Sequence, residues 1–98
     1  MSNVLSPQLA DVVISLNGRD AGKRFLIVGT EDEYSLLADG KGRRVEKPKR
    51  KKNKHIKPEG YLNDITSAKL KAGEKVSNNE IRRALAAYTA ASGERGGM

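Results

Sequence analysis

Val12-Val13-Ile14-Ser15-Leu16-Asn17-Gly18-Arg19-Asp20-Ala21-Gly22-Lys23-Arg24-Phe25-Leu26-Ile27-Val28 is the stretch that decides the fold. Residues 12–16 are a β-branched, apolar run of the kind that forms a strand buried on one or both faces. Residues 24–28 are a second such run. Between them stand Gly18 and Gly22, two positions able to take the positive φ of a tight turn. The pattern continues downstream with an acidic turn over residues 29–33 and a third strand, Tyr34-Ser35-Leu36-Leu37-Ala38, closed by Asp39-Gly40-Lys41-Gly42. Turn signals recurring at about ten residues indicate meandering antiparallel strands. Residues 43–49 read as a fourth strand, charged enough to lie at a sheet edge or face a partner. Upstream, residues 1–10 hold a Ser-Pro break and no period, and read as a flexible arm.

After Lys57 the period changes. Pro58, Glu59 and Gly60 punctuate the chain, and Asn63 is placed to cap a short helix over residues 64–72 that stops at Gly73. Ser77-Asn78-Asn79-Glu80 fits a capping box, in which the Ser oxygen and the Glu carboxylate each accept a backbone N–H of the other. Ile81, Leu85 and Tyr88 then fall on one helical face, with Arg82 and Arg83 turned outward, as far as Ala91. Ser92-Gly93 reads as its stop and residues 92–98 as a frayed tail. The expected fold is mainly β with a C-terminal helix: a small β-barrel over residues 11–60, including the basic segment 41–57, then one or two short α-helices over residues 61–91. Such a helix most often covers an open barrel edge or mouth; docking to a partner protein or RNA through Arg82 and Arg83 is the alternative.

Ninety-eight residues make one small domain, able to bury about 60–65% of its unfolded surface. Charged residues reach 32%, above the roughly 25% of ordinary domains, and 19 Lys and Arg against 12 Asp and Glu leave a net +7. The excess is local. Residues 41–57 carry ten Lys and Arg against Glu46 alone, a segment at +9 in a chain otherwise at −2. Such a field attracts a polyanion. A membrane-binding helix would need an apolar face, but Val45 and Ile56 are the large apolar groups here, with Pro48 between them. Nucleic acid is favoured over anionic lipid. No run of about 18–20 apolar residues, no signal pattern and no cysteine occur, so the expectation is a soluble, cytoplasmic monomer without disulfides or a thiolate zinc site.

Catalytic and cofactor chemistry finds little support. Gly18, Gly22 and Lys23 fail as a P-loop: three residues separate the glycines where four are needed, and Arg24 follows the Lys. His55 is the single histidine and has no Cys or second His with which to share a metal. Glu31, Asp32 and Glu33 lack the spacing of a calcium loop and read as a solvated turn. No nucleophile–base pair stands out, so no catalytic residue, cofactor or metal is expected. The rings are few as well. Phe25 and Tyr88 read as core, which leaves Tyr34 and Tyr61, too few for a base-stacking platform. Binding should therefore rest on backbone charge and the shape of a folded RNA.

Residues 12–28 resemble a KOW motif, in which strand, glycine loop and strand form part of an SH3-like barrel. More narrowly, Gly18-Arg19-Asp20-x-Gly22, residues 34–40, Arg43-Arg44-Val45 and Lys54-His55-Ile56 are similar to the fourteen-e family of archaeal and eukaryotic large-subunit ribosomal proteins. The similarity covers roughly residues 11–91, with Gly-Arg-Asp-x-Gly its most specific part. The tract over residues 47–54 is longer in Lys and Arg than in the ribosomal members, which points toward the compact bacterial KOW-domain relatives. The resemblance implies RNA contacts from Gly18, Arg19, Asp20, Gly22 and Lys23, with Asp20 holding the loop or orienting Arg19. To these the charge pattern adds Arg43, Arg44, Lys47, Lys49, Arg50, Lys51, Lys52 and Lys54, with His55 as an RNA-facing residue. The implied partners are RNA, above all ribosomal RNA, and the ribosome or its large subunit. A transcription-associated KOW module on RNA polymerase or nascent RNA, and a nonspecific DNA-binding protein, are the alternatives.

Overall fold

The two apolar runs around the glycine turn pair with each other. The computed structural model describes residues 7–96, with side chains through Ala91. β1 (Asp11–Ser15) lies antiparallel to β2 (Arg24–Glu31), with Val12 opposite Leu26 and Val13 opposite Phe25. β3 (Tyr34–Ala38) folds back along β2, β4 (Lys49–Lys52) pairs with β3, and β5 (Ile56–Tyr61) returns to β1. The result is one antiparallel sheet in the order β4-β3-β2-β1-β5. Its two edge strands are consecutive in the chain, separated by the three-residue 3-10 turn Asn53–His55. A sheet whose opposite edges are joined by so short a link must curl round on itself, as a small barrel does. Bulges at Val28 in β2 and Glu59 in β5, each an extra residue in its ladder, help the sheet to bend.

Both faces of the curled sheet are covered, which is why the apolar runs do not alternate with polar residues. Val13, Phe25, Ile27, Leu37 and Ile56 form the interior of the curl. Val12, Leu26 and Ala38, on the opposite face, meet Leu62, Val76, Ile81, Ala84 and Leu85. The last three belong to α2 (Asn78–Gly96), which packs over the outer face beside the short α1 (Ile65–Lys71). Full burial of a Leu or Ile contributes about 1.5–3 kcal/mol, so Ile81 and Leu85 anchor the helix. The α2 capping box forms as its sequence predicts: Ser77 Oγ accepts the Glu80 N–H at 3.1 Å and the Glu80 carboxylate accepts the Ser77 N–H at 2.9 Å.

Five expectations need correction. Of residues 43–49, expected as one strand, only Lys49 lies in one, because backbone donors before it are taken by the loop itself and by α2. The Asp39 carboxylate accepts the N–H groups of Lys41 and Arg43 at 2.9 and 2.8 Å, and the Asn78 side chain accepts that of Val45 at 2.7 Å. Pairing starts only after Pro48. β5, read as punctuation, runs through Pro58, which an edge strand beside a bulge tolerates. Asp64, not Asn63, caps α1, because the residue three positions after it is Ser67, whose hydroxyl reciprocates. The end of the supposed arm is built in: Ala10 is buried, donates to the Ile27 carbonyl at 2.9 Å and accepts from Leu62 at 3.1 Å. Residues 1–6 of that arm lie outside the described residues. Lastly, α2 passes Ser92-Gly93 and continues to Gly96, since one glycine costs a helix only about 1 kcal/mol; the remainder of the expected tail, residues 97–98, lies outside the described residues. Among the described residues no helix is long and apolar enough to cross a membrane.

Candidate functional site

The β1–β2 turn is held by its own backbone. Gly18 and Gly22 take φ of +81° and +85°, as their place in the turn predicts. The N–H groups of Ala21 and Lys23 donate to the carbonyls of Gly18 and Asp20, and Gly22 donates to Ser15. Space beside Gly22 is open: a Cβ there would meet nothing within 4 Å. Asp20 is buried, and its carboxylate accepts both Nε and Nη2 of Arg43, at 3.1 and 2.8 Å. The Arg43 bond holds the Asp20 carboxyl below its ordinary pKa, with help from Lys23 and Lys49. Asp20 is thus a structural residue, but its partner is Arg43. Arg19 stands exposed, with no bonding partner among the described residues.

β4 splits the basic run between two faces. Lys49 lies opposite Leu37 and Lys51 opposite Ser35, both fully buried residues, so these two lysines share the inner face. Lys51 Nζ donates to the Asn17 carbonyl at 2.9 Å and passes beside Gly18. Arg50 and Lys52 occupy the other face with Leu36 and Tyr34. There the Arg50 guanidinium lies 3.6 Å from the centroid of the Tyr34 ring and donates from Nε to Glu31 at 2.9 Å. The 3-10 turn closes the site. His55 accepts the Leu16 N–H on its carbonyl, and its Nδ1 lies 2.9 Å from the Asn17 amide nitrogen.

The structure therefore gathers Gly18, Arg19, Asp20, Gly22, Lys23, Arg43, Lys49, Lys51 and His55 at one end of the barrel, with exposed Lys54 on the adjoining 3-10 turn. Within this group Arg43 and His55 are braces, since Asp20 occupies the fork of the first and Asn17 the ring of the second. Arg44 and Lys47 are not part of it. They sit in the loop over residues 39–48, where Arg44 pairs with Glu46 at 3.5 Å. Glu46 in turn accepts the Asn78 amide, which, first among several causes, keeps its pKa below the ordinary range. Arg50 and Lys52 face away. The cations presented at the barrel end are Arg19, Lys49, Lys51 and Lys23, the last 3.7 Å from the Asp20 carboxylate, with Lys54 beside them on the 3-10 turn. Sequence reasoning missed Asn17, the residue clasped by both Lys51 and His55, and gave Tyr34 no role; nothing in a lone Asn or Tyr announces a partner across the sheet. No family model matches the chain, and no curated protein matches it.

Proposed function

We propose that this protein is a non-enzymatic, cytoplasmic RNA-binding protein that grips structured RNA by its phosphate backbone at the β1–β2 end of the barrel. The observation that carries the reading is the convergence of Arg19 and Lys23 with Lys49 and Lys51 around a glycine turn. Lysines act as point charges and Arg19 can fork across two phosphate oxygens. Gly22 leaves room for a phosphate to approach the backbone. These contacts fix position rather than sequence. The resemblance of residues 11–91 to KOW and fourteen-e proteins favours RNA over DNA, and ribosomal RNA on large-subunit particles as the RNA. Asp20 with Arg43, and His55 with Asn17, hold the cations in place.

The test is an anisotropy titration of a labelled RNA hairpin and of duplex DNA at matched salt. Reversing Arg19→Glu together with Lys49→Glu should weaken RNA binding by roughly tenfold or more, whereas Arg44→Glu with Lys47→Glu should cost less than about threefold. Equal losses from the two pairs, or tighter binding to duplex DNA, refute the reading. Sedimentation of a lysate then identifies the particle: migration with the large subunit supports the ribosomal assignment, and a position at the top of the gradient excludes it in favour of free or nascent RNA.

A further inference from the structure

On the face of β4 turned away from the barrel end, one arginine is fixed in a way that backbone neutralisation does not need. The Arg50 guanidinium lies over the Tyr34 ring, and its Nε is bonded to Glu31, so a normally mobile side chain is held from two sides. Lys52 Nζ stands 5.9 Å from the centroid of the same ring. The Arg50 side chain is still 56% exposed, and it borders an open cleft of about 810 Å³ with Glu31, Asp32, Glu33 and Tyr34. Glu31 offsets the charge of Arg50, and the neighbouring carboxylates repel phosphate, so this cleft is a poor place for an RNA backbone. What it presents is a flat, pre-ordered π surface with an acceptor rim.

We propose that the Arg50–Tyr34 stack is a docking site for one unpaired RNA base, which lies on the open face of the guanidinium. The site rests on the RNA-binding reading and supplies the feature that reading lacks, discrimination among RNAs. Arginine planes and aromatic rings are the surfaces on which splayed-out bases stack. The ordering entropy of Arg50 is already met in folding. The carboxylates of Asp32 and Glu33 can accept from exocyclic amines, so adenine, cytosine and guanine are favoured over uracil, which has no exocyclic amine and whose single N3–H donor is flanked by two carbonyl oxygens that the carboxylates repel. Successive residues of β4 point to opposite faces. Phosphates held by Lys49 and Lys51 thus leave an adjacent bulged base free to turn over the strand edge toward Arg50.

Three hairpins test this, one fully paired and two with a single bulged adenine or uracil, each titrated against the wild type and Arg50→Lys. The wild type should bind a hairpin with a bulged adenine at least about fivefold more tightly than the fully paired one, and a bulged uracil should gain little. Arg50→Lys keeps the charge and loses the plane; it should abolish the gain while leaving the paired hairpin's affinity and the thermal midpoint unchanged. A 2-aminopurine bulge should be quenched by the wild type and not by the variant. Equal wild-type affinity for bulged and paired hairpins, or an equal loss for both in Arg50→Lys, overturns the proposal and leaves the RNA-binding reading standing. Binding of none of the three hairpins overturns both.

Discussion

At the scale of single residues, the pair that shapes the candidate site is Asp20 with Arg43, joined across 23 positions of sequence. Asp20 is an acid whose folded pKa lies below its ordinary 3.8, chiefly through the Arg43 bond. Its contribution to stability is therefore fully present above the ordinary pKa and is lost as pH falls through the lower folded value. Asp20→Asn should cost about 1–3 kcal/mol near neutral pH, because it leaves a half-buried guanidinium without its counter-charge. The cost should shrink as pH falls below about 4. Asp11, raised by burial, acts with the opposite sign, so the difference between the melting curves of wild type and variant isolates the pair. A difference that stays constant down to pH 2 would remove Asp20–Arg43 as a stabilising ion pair. The glycines of this turn were legible in the sequence, since positive φ is a local demand that few other residues meet. The partner of Asp20 was not, because no local rule connects residues 20 and 43.

Elements show the same division between local and distant causes. The first three strands and the capping box of α2 follow from period and turn chemistry, and β3 has the bounds its sequence predicts. The absence of a strand immediately before Lys49 has a distant cause: the loop over residues 39–48 is moulded on α2. Asn78 bonds Val45 and Glu46, and the Arg82 guanidinium donates to the Gly40 carbonyl. Gly40 also takes φ of +79° directly against the first turn of α2, where a Cβ would strike the Asn78 carbonyl. Gly22 has a similar φ but open space around it. Gly22→Ala should therefore cost only the backbone strain, about 1–2 kcal/mol. Gly40→Ala adds a collision with helix backbone and should cost about 2–4 kcal/mol, lowering the thermal midpoint by roughly 8–32 °C at 4–8 °C per kcal/mol. Equal midpoints for the two variants would mean that α2 yields readily at Gly40 and does not mould the loop.

For the whole molecule, composition revealed that residues 41–57 carry +9 but not how that charge is spent, since the partners of Arg43, Arg44 and Arg50 come from elsewhere in the fold or from a neighbouring loop residue. Asp20 and Glu31 each neutralise one of these arginines across the sheet, and Glu46 does so within its loop. Were about six cations of the segment to meet phosphates, affinity would fall on the order of a thousandfold between 50 and 200 mM salt. The four cations presented at the barrel end predict a gentler fall, on the order of a hundredfold over the same range, by the same counterion-release relation. Removing two of them as Arg19→Glu and Lys49→Glu should lower the slope of log affinity against log salt by about two. Reversing Arg44 and Lys47 should leave that slope unchanged. A wild-type fall near a thousandfold would mean that RNA also reaches Lys54 and strips Arg43 or Arg44 from their carboxylates on binding. A flat salt response would eliminate a phosphate-directed site at this end of the barrel.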